Sequence, residues 1–294
     1  MKVIKPVTFD ETKLISSNAV EFYSAYNAGT TYAKDAIVDH GTHYYISLVN
    51  NNTGNTPSTS PTFWLLMGPD NKHAMFDVTV DTTTISSSPL AVVVNTGLIN
   101  SLGLLNLTGT SVNIKARDGN GGSIFWEETV NLDGTVIVDW YQYFFEPYDQ
   151  LSDVVFTDIP PYSTCHIEMT LTGSGDVKIG QFVYGTIYDI GMTQYGASAG
   201  IKDYSIKETD EFGVSTFVRR TFSKRMSSEV LLNNVDLRKV FRLLQDLRAT
   251  PCVWIGSDAQ EFEPLIVYGF YRDFNITIPY PTYSRCSLDI EGLS

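Results

Sequence analysis

Short runs in which apolar and polar side chains alternate fill the middle of the chain: Ala74–Asp81, Leu90–Val94, Ser111–Ala116, Ile124–Val130, Thr135–Val138, Trp140–Phe145, Asp153–Phe156, Cys165–Leu171 and Val177–Gly185. A period of two puts successive side chains on opposite faces, so each run predicts a strand. Turn-formers separate them, such as Arg117-Asp-Gly-Asn-Gly-Gly122, Asp133-Gly134 and Thr172-Gly-Ser-Gly175. Many short strands at even spacing imply an antiparallel sandwich or jelly roll over residues 71–190.

The texture changes after Gly191. Ile201–Ile206 and Phe212–Phe222 read as strands, and one segment then carries a helical period, from Asp236 to Ala249, with Val240, Leu243, Leu244 and Leu247 at three-four spacing. Asn234 or Asp236 is the expected cap, and Thr250-Pro251 the stop. Strands are expected again at Cys252–Ile255, Pro264–Tyr271 and Ser284–Ile290. One helix crossing an antiparallel sheet predicts an α+β unit over residues 191–294, read as an attachment and assembly domain. Residues 1–21 read as an irregular lead-in, and residues 22–70 as a separate small β-unit ending at the turn Gly68-Pro69-Asp70-Asn71. The expected fold class is therefore mainly β: a small β module, a central antiparallel sandwich or jelly roll, and a C-terminal α+β unit with one helix.

Length and composition fit this division. A chain of 294 residues suits two or three domains, and 13% aromatic with 18% charged residues describes packed β structure rather than disorder. There is no long apolar run to insert in a membrane. Met1-Lys-Val-Ile-Lys-Pro6 is basic but leads into no apolar stretch, so synthesis and assembly in a cytoplasm are expected rather than export. The cysteines Cys165, Cys252 and Cys286 are odd in number and widely spaced, which suits small buried hydrophobes and neither zinc nor redox chemistry. No cofactor or metal is expected. Residues 76–190 carry 3 basic and 14 acidic side chains, close to the whole net charge of −13, which opposes binding to nucleic acid or an anionic membrane.

Residues 22–68 concentrate aromatic rings: Phe22, Tyr23, Tyr26, Tyr32, Tyr44, Tyr45, Phe63 and Trp64, with His40 and His43 among them. So short a segment cannot bury them all, and exposed flat rings suit a flat, amphipathic partner. Their order is Ala25-Tyr26, Tyr32-Ala-Lys-Asp-Ala-Ile-Val38, His40-Gly-Thr-His-Tyr-Tyr45, Pro57 and Phe63-Trp-Leu-Leu66. This resembles the small carbohydrate-binding modules of chitinases and cellulases, the chitin-binding families 5 and 12, with Tyr26 where the family usually has Trp and Lys34 where it has the turn Gly. The resemblance implies carbohydrate binding by Tyr26, Tyr32, Tyr44, Tyr45, Phe63 and Trp64. Strand alternation places Tyr32, Tyr44 and Trp64 on the core side and Tyr26, Tyr45 and Phe63 on an exposed face.

Catalytic signals are thin. Glycoside hydrolysis needs two carboxylates across a groove, yet Glu127 and Glu128 are strand neighbours that should point to opposite faces. Asp139, Glu146 and Asp149 flank the aromatic run Trp140–Phe145 and could line a sugar groove. His40 and His43 read as hairpin residues rather than metal ligands. Arg219-Arg220 and Lys224-Arg225 form a basic cluster that suits an inter-subunit salt bridge or a solvated edge.

As a whole, an unexported chain with a sugar-binding module, an acidic sandwich and a terminal α+β unit resembles tail-tip or baseplate proteins of tailed bacteriophages. What that implies is a non-enzymatic virion protein located in the tail, a homo-oligomer that contacts other tail and baseplate subunits, presents its module to a host surface glycan, and binds no nucleic acid and enters no membrane. A tail-associated glycosidase and an assembly spacer that binds no sugar remain the alternatives.

Overall fold

The computed structural model describes residues 1–135, 139–145, 149–209 and 211–293. It is mainly β, and three antiparallel sheets position everything of functional interest. The first has five strands in the order Ile124–Asn131, Ser111–Asp118, Cys165–Thr172, Leu90–Asn95 and Leu14–Ser17. Strict alternation turns Cys165, Ile167, Met169 and Leu171 inward, opposite the inward row Val112, Ile114 and Ala116. These side chains pack on Leu102, Leu104, Phe156, Phe182 and Tyr184 from the second sheet, so two sheets face each other over one core. That is the sandwich expected from the sequence.

The second sheet is larger than any expectation. Ten strands run Val154–Phe156, Ser101–Leu105, Gln181–Asp189, Lys2–Pro6, Cys252–Ile255, Ile266–Thr277, Tyr283–Gly292 and Phe222–Asn233, with Met192–Thr193 and Ser198–Asp203 both pairing to the last. It draws strands from residues 1–21, 71–190 and 191–294 alike. The lead-in is thus not irregular. Lys2–Pro6 pairs Gln181–Asp189 on one side and Cys252–Ile255 on the other, and Leu14–Ser17 closes an edge of the five-stranded sheet. A run so short and with two lysines carries no strong strand signal by itself; neighbours distant in sequence supply the pairing. Where Pro6 lies opposite Gly185, a Cβ would overlap the Lys5 carbonyl, which explains a glycine in mid-strand.

The expected helix forms over Leu237–Asp246. Val240, Leu243 and Leu244 pack with Leu247 against Val3, Trp254, Val267 and Leu288 of the large sheet. Asp236 stands at the N-cap position without a side-chain cap bond, and the chain leaves through Ala249 in a left-handed conformation (φ 56°). Two runs read as strands behave otherwise. Ala74–Phe76 is a turn of 3-10 helix, in which Phe76 stacks on Phe9 at 4.0 Å and the Met75 amide donates to Thr84 Oγ1. Trp140–Phe145 is a short α-helix, and Asp139 Oδ1 accepts from the Gln142 amide, a capping bond that satisfies a donor of its first turn and favours the helix over a strand. The strand expected at 135–138 falls on residues 136–138, outside the described residues, as does Glu146. All three cysteines are buried and free; burial pushes the Cys252 thiol to about 12 and Cys286 to about 11.

Polar staples hold the sandwich to the C-terminal strands. Lys224 Nζ donates to the buried Asp153 carboxylate at 2.5 Å, and Glu263 Oε1 accepts from the Ser152 and Asp153 amides at 3.1 and 3.0 Å. Burial, the dominant cause, pushes the Asp153 carboxyl up despite Lys224. Lys224→Met leaves that charge uncompensated and is expected to lower stability by about 3 kcal/mol, the low end for a broken buried pair because Lys224 is partly exposed. Urea unfolding at neutral and acid pH checks this: the loss should shrink as pH falls and Asp153 takes up a proton, and a pH-independent loss would refute the electrostatic cause.

Candidate functional site

The third sheet is the aromatic unit, with strands Ile37–His40, His43–Ser47 and Trp64–Pro69. His40 pairs with His43 across Gly41-Thr42, and Gly41 has φ 73°, so this two-residue hairpin needs glycine in its first central position. The histidines are hairpin residues, as expected. The preceding turn places its positive φ (67°) on Asp35, a residue type that tolerates it, which leaves Lys34 unstrained.

Trp64 is the centre of the unit. It is 2% exposed, its indole N–H donates to the Asn55 carbonyl at 2.8 Å, and its ring meets Tyr26 and Tyr32 edge-on, with centroids 5.9 and 5.3 Å away. Tyr26 and Tyr32 stack at 5.8 Å with an interplanar angle of 23°. Tyr26 then meets His40 at 5.5 Å, and His40 meets Tyr45 at 6.2 Å. Tyr32, Tyr26, His40 and Tyr45 thus form one half-buried row over the buried Trp64. Tyr32 Oη accepts from the Asn27 amide at 2.8 Å, which fixes the row's outer end. Phe63 is half-buried and has no ring partner among the described residues.

Tyr44 belongs to a different group. A register shift between Tyr44 and Tyr45, against Gly68 and Leu66, breaks the alternation there. Tyr44 is buried with its hydroxyl donating to Glu21 Oε2 at 2.5 Å and accepting from the Phe22 and Asn71 amides, both at 3.1 Å. Burial first, then Glu21, pushes its phenol well up. Asn71 continues the joint: its side chain donates to the Val20 and Ile85 carbonyls and accepts from the Ile85 amide. Of the six residues singled out from sequence, the structure brings Tyr26, Tyr32, Tyr45 and Trp64 together, holds Phe63 apart, and uses Tyr44 to fasten the unit to the sandwich.

Two features had no sequence signal. Carboxylate oxygens of Glu21, Asp39 and Asp70 lie within 4.8 Å of one another, from three separate parts of the chain. Glu21 is compensated by Tyr44, Asn71 and Lys72 (3.7 Å), and Asp70 by the His73 amide and Nδ1 at 2.8 and 2.6 Å. Asp39 Oδ1 is buried without a hydrogen-bond partner. Beside this joint, a cleft of about 530 Å³ between the aromatic unit and the sandwich is lined by Phe9, Glu11, His43, His73 and Phe76.

Of the carboxylates weighed for catalysis, Glu127 and Glu128 do not face each other. Glu127 lies opposite Lys115 and pairs with it at 3.6 Å, whereas Glu128 lies opposite the inward-facing Ile114, so the two occupy opposite faces. Asp139 caps the short helix, and Asp149 makes backbone contacts with Gly134 and Thr135. Among the described residues no helix is long and apolar enough to cross a membrane.

No protein-family model matches the chain, and no curated protein or solved structure matches it either.

Burial first, then Asp70 and Glu21, pushes the Asp39 carboxyl up. Folding therefore favours its protonated form, and stability is lost as pH rises through the raised value. Asp39→Asn removes the charge and is expected to raise the melting temperature at neutral pH but not below the ordinary carboxylate range. Melting curves at the two pH values check this, and equal shifts at both would refute it.

Proposed function

We propose that the chain is a non-enzymatic virion protein of a bacteriophage tail tip or baseplate, which attaches to the tail and presents the aromatic unit to a host surface glycan. The observation that carries this reading is the row Tyr32, Tyr26, His40 and Tyr45, locked by Trp64 on a small sheet. A fixed ring loses little conformational freedom when a sugar stacks on it, and each such contact adds about 0.5–1.5 kcal/mol beyond the area buried. One site of this kind is weak. A virion part present in several copies converts weak sites into firm attachment.

Exposed Leu65, Leu66 and Met67 on the outer strand Trp64–Pro69 favour a second reading, in which the unit packs on a neighbouring subunit as an assembly spacer. The two separate by experiment. The full chain, displayed multivalently, is tested for retention on chitin, peptidoglycan and bacterial surface polysaccharide. Tyr45→Ala is expected to reduce retention on at least one of them roughly tenfold, equivalent to about 1.4 kcal/mol per site, with an unchanged melting temperature. A folded protein retained by none supports the spacer. Polysaccharide cleavage that is lost on changing Glu128 and Asp139 would replace both readings with a glycosidase.

A further inference from the structure

Basic side chains are outnumbered in this chain, 20 against 33 acidic ones, yet one cleft gathers four of them. It measures about 450 Å³ and lies where the helix Leu237–Asp246 meets the large sheet. Arg238, Lys239 and Arg242 line it from the helix, Lys5 from the central strand Lys2–Pro6, and Tyr188 from the strand paired beside that one. Lys5 follows Val3 on the same face of its strand, so it reaches the cleft from beneath the helix and is half-buried there. Asp246 is the acid among the lining residues, and four cations less one carboxylate leave a formal +3.

Two details separate this group from an ordinary solvated helix face. None of the four cations has an ion-pair partner within 4.0 Å among the described residues, whereas Lys2, Lys72, Lys115, Arg117, Lys202 and Lys224 all have one. The helix also carries its charges at the wrong ends. Arg238 and Lys239 stand in the first turn, where the helix dipole repels cations; no acid accompanies them there, and Asp246 stands in the last turn. Asp236 at the N-cap position makes no side-chain cap bond. An anion in the cleft would reverse both costs, because it meets the unpaired cations and the start of the helix together.

Size and charge narrow the class of that anion. A cleft of this volume falls in the range of small-molecule sites. A net +3 exceeds what one carboxylate neutralises and suits a phosphate ester, which carries about −1.5 to −2 near pH 7. Arg238 and Arg242 lie one helical turn apart, and a guanidinium matches two phosphate oxygens at once, while Lys5 and Lys239 add point charges. Tyr188 gives the cleft a ring against which an uncharged ring of the ligand can lie. An extended polyanion fits poorly, since residues 76–190 hold 14 acidic and 3 basic side chains and repel it.

We infer that this cleft binds a small phosphate ester of a ring compound, with the phosphate held by Arg238, Arg242, Lys239 and Lys5 and the ring against Tyr188. The site is built from other elements than the aromatic row and holds whatever that row binds.

Isothermal titration of the full chain with glucose 1-phosphate, AMP and inorganic phosphate, at matched ionic strength, tests it. At least one ester is expected to bind more tightly than inorganic phosphate, to raise the melting temperature, and to bind more weakly as salt rises; which ester does so identifies the ring. Arg238→Gln with Arg242→Gln is expected to weaken that binding roughly tenfold or more. The melting temperature of the free protein should hold or rise in this variant, because the first turn loses a misplaced cation. Tyr188→Leu should weaken the ester but not inorganic phosphate. Arg219→Gln with Arg220→Gln, a basic pair outside the cleft, should leave binding unchanged. No binding of either ester at millimolar concentration, esters that bind no better than inorganic phosphate, or binding that survives loss of the two helix arginines would each overturn the inference.

Discussion

The strand Lys2–Pro6 is the constraint on which the rest depends. It lies in the middle of the ten-stranded sheet, paired to Gln181–Asp189 on one side and Cys252–Ile255 on the other, so among the described residues the sandwich and the helix-bearing half meet only through it in that sheet. Its side chains serve both faces: Val3 packs beneath the helix, and Ile4 packs on the opposite side with Val253, Ile255 and Ile266. Both are fully buried. Displacing this segment would expose two strand edges and open two cores together, which ties the stability of distant regions to a few residues.

From that base two parts project. The aromatic unit is held by polar groups, with Glu21, Tyr44 and Asn71 closing the joint, while the ribbon of Ile206–Thr209 and Ser215–Val218 is joined to the large sheet through Ser198–Asp203, where Lys202 pairs with Glu291 at 2.8 Å. The difference matters for the proposed role. A recognition surface benefits from rings fixed before contact, since ordering them on binding would subtract from a small gain.

The joint also concentrates charge. Three carboxylates meet where Lys72 supplies a nearby cation and His73 a ring nitrogen, and Asp39 Oδ1 is the buried oxygen left without a hydrogen-bond partner. Like charges held near one another store repulsion that the surrounding hydrogen bonds must offset. The Lys224, Asp153 and Glu263 group likewise sets a lysine among carboxylates where the sandwich meets the C-terminal strands, so both attachments to the sandwich depend on charge compensation as well as on packing.

Sequence by itself determined the local elements: the alternating runs Ser111–Asp118 and Cys165–Thr172, the helix around Val240, Leu243 and Leu244, the Gly41 hairpin, and the opposition of Glu127 and Glu128. These rest on side-chain period and on backbone preference, which neighbouring residues fix without outside help. It also brought attention to Tyr26, Tyr32, Tyr45 and Trp64, because rings so dense have to meet. Tertiary structure alone decided that Lys2–Pro6 is a central strand, that one sheet spans most of the chain, that Tyr44 fastens the aromatic unit to the sandwich, and that Glu21, Asp39 and Asp70 converge. Pairing partners and charge neighbours lie dozens to hundreds of residues away, and no local pattern records which distant segment satisfies a strand's edge or surrounds a carboxylate.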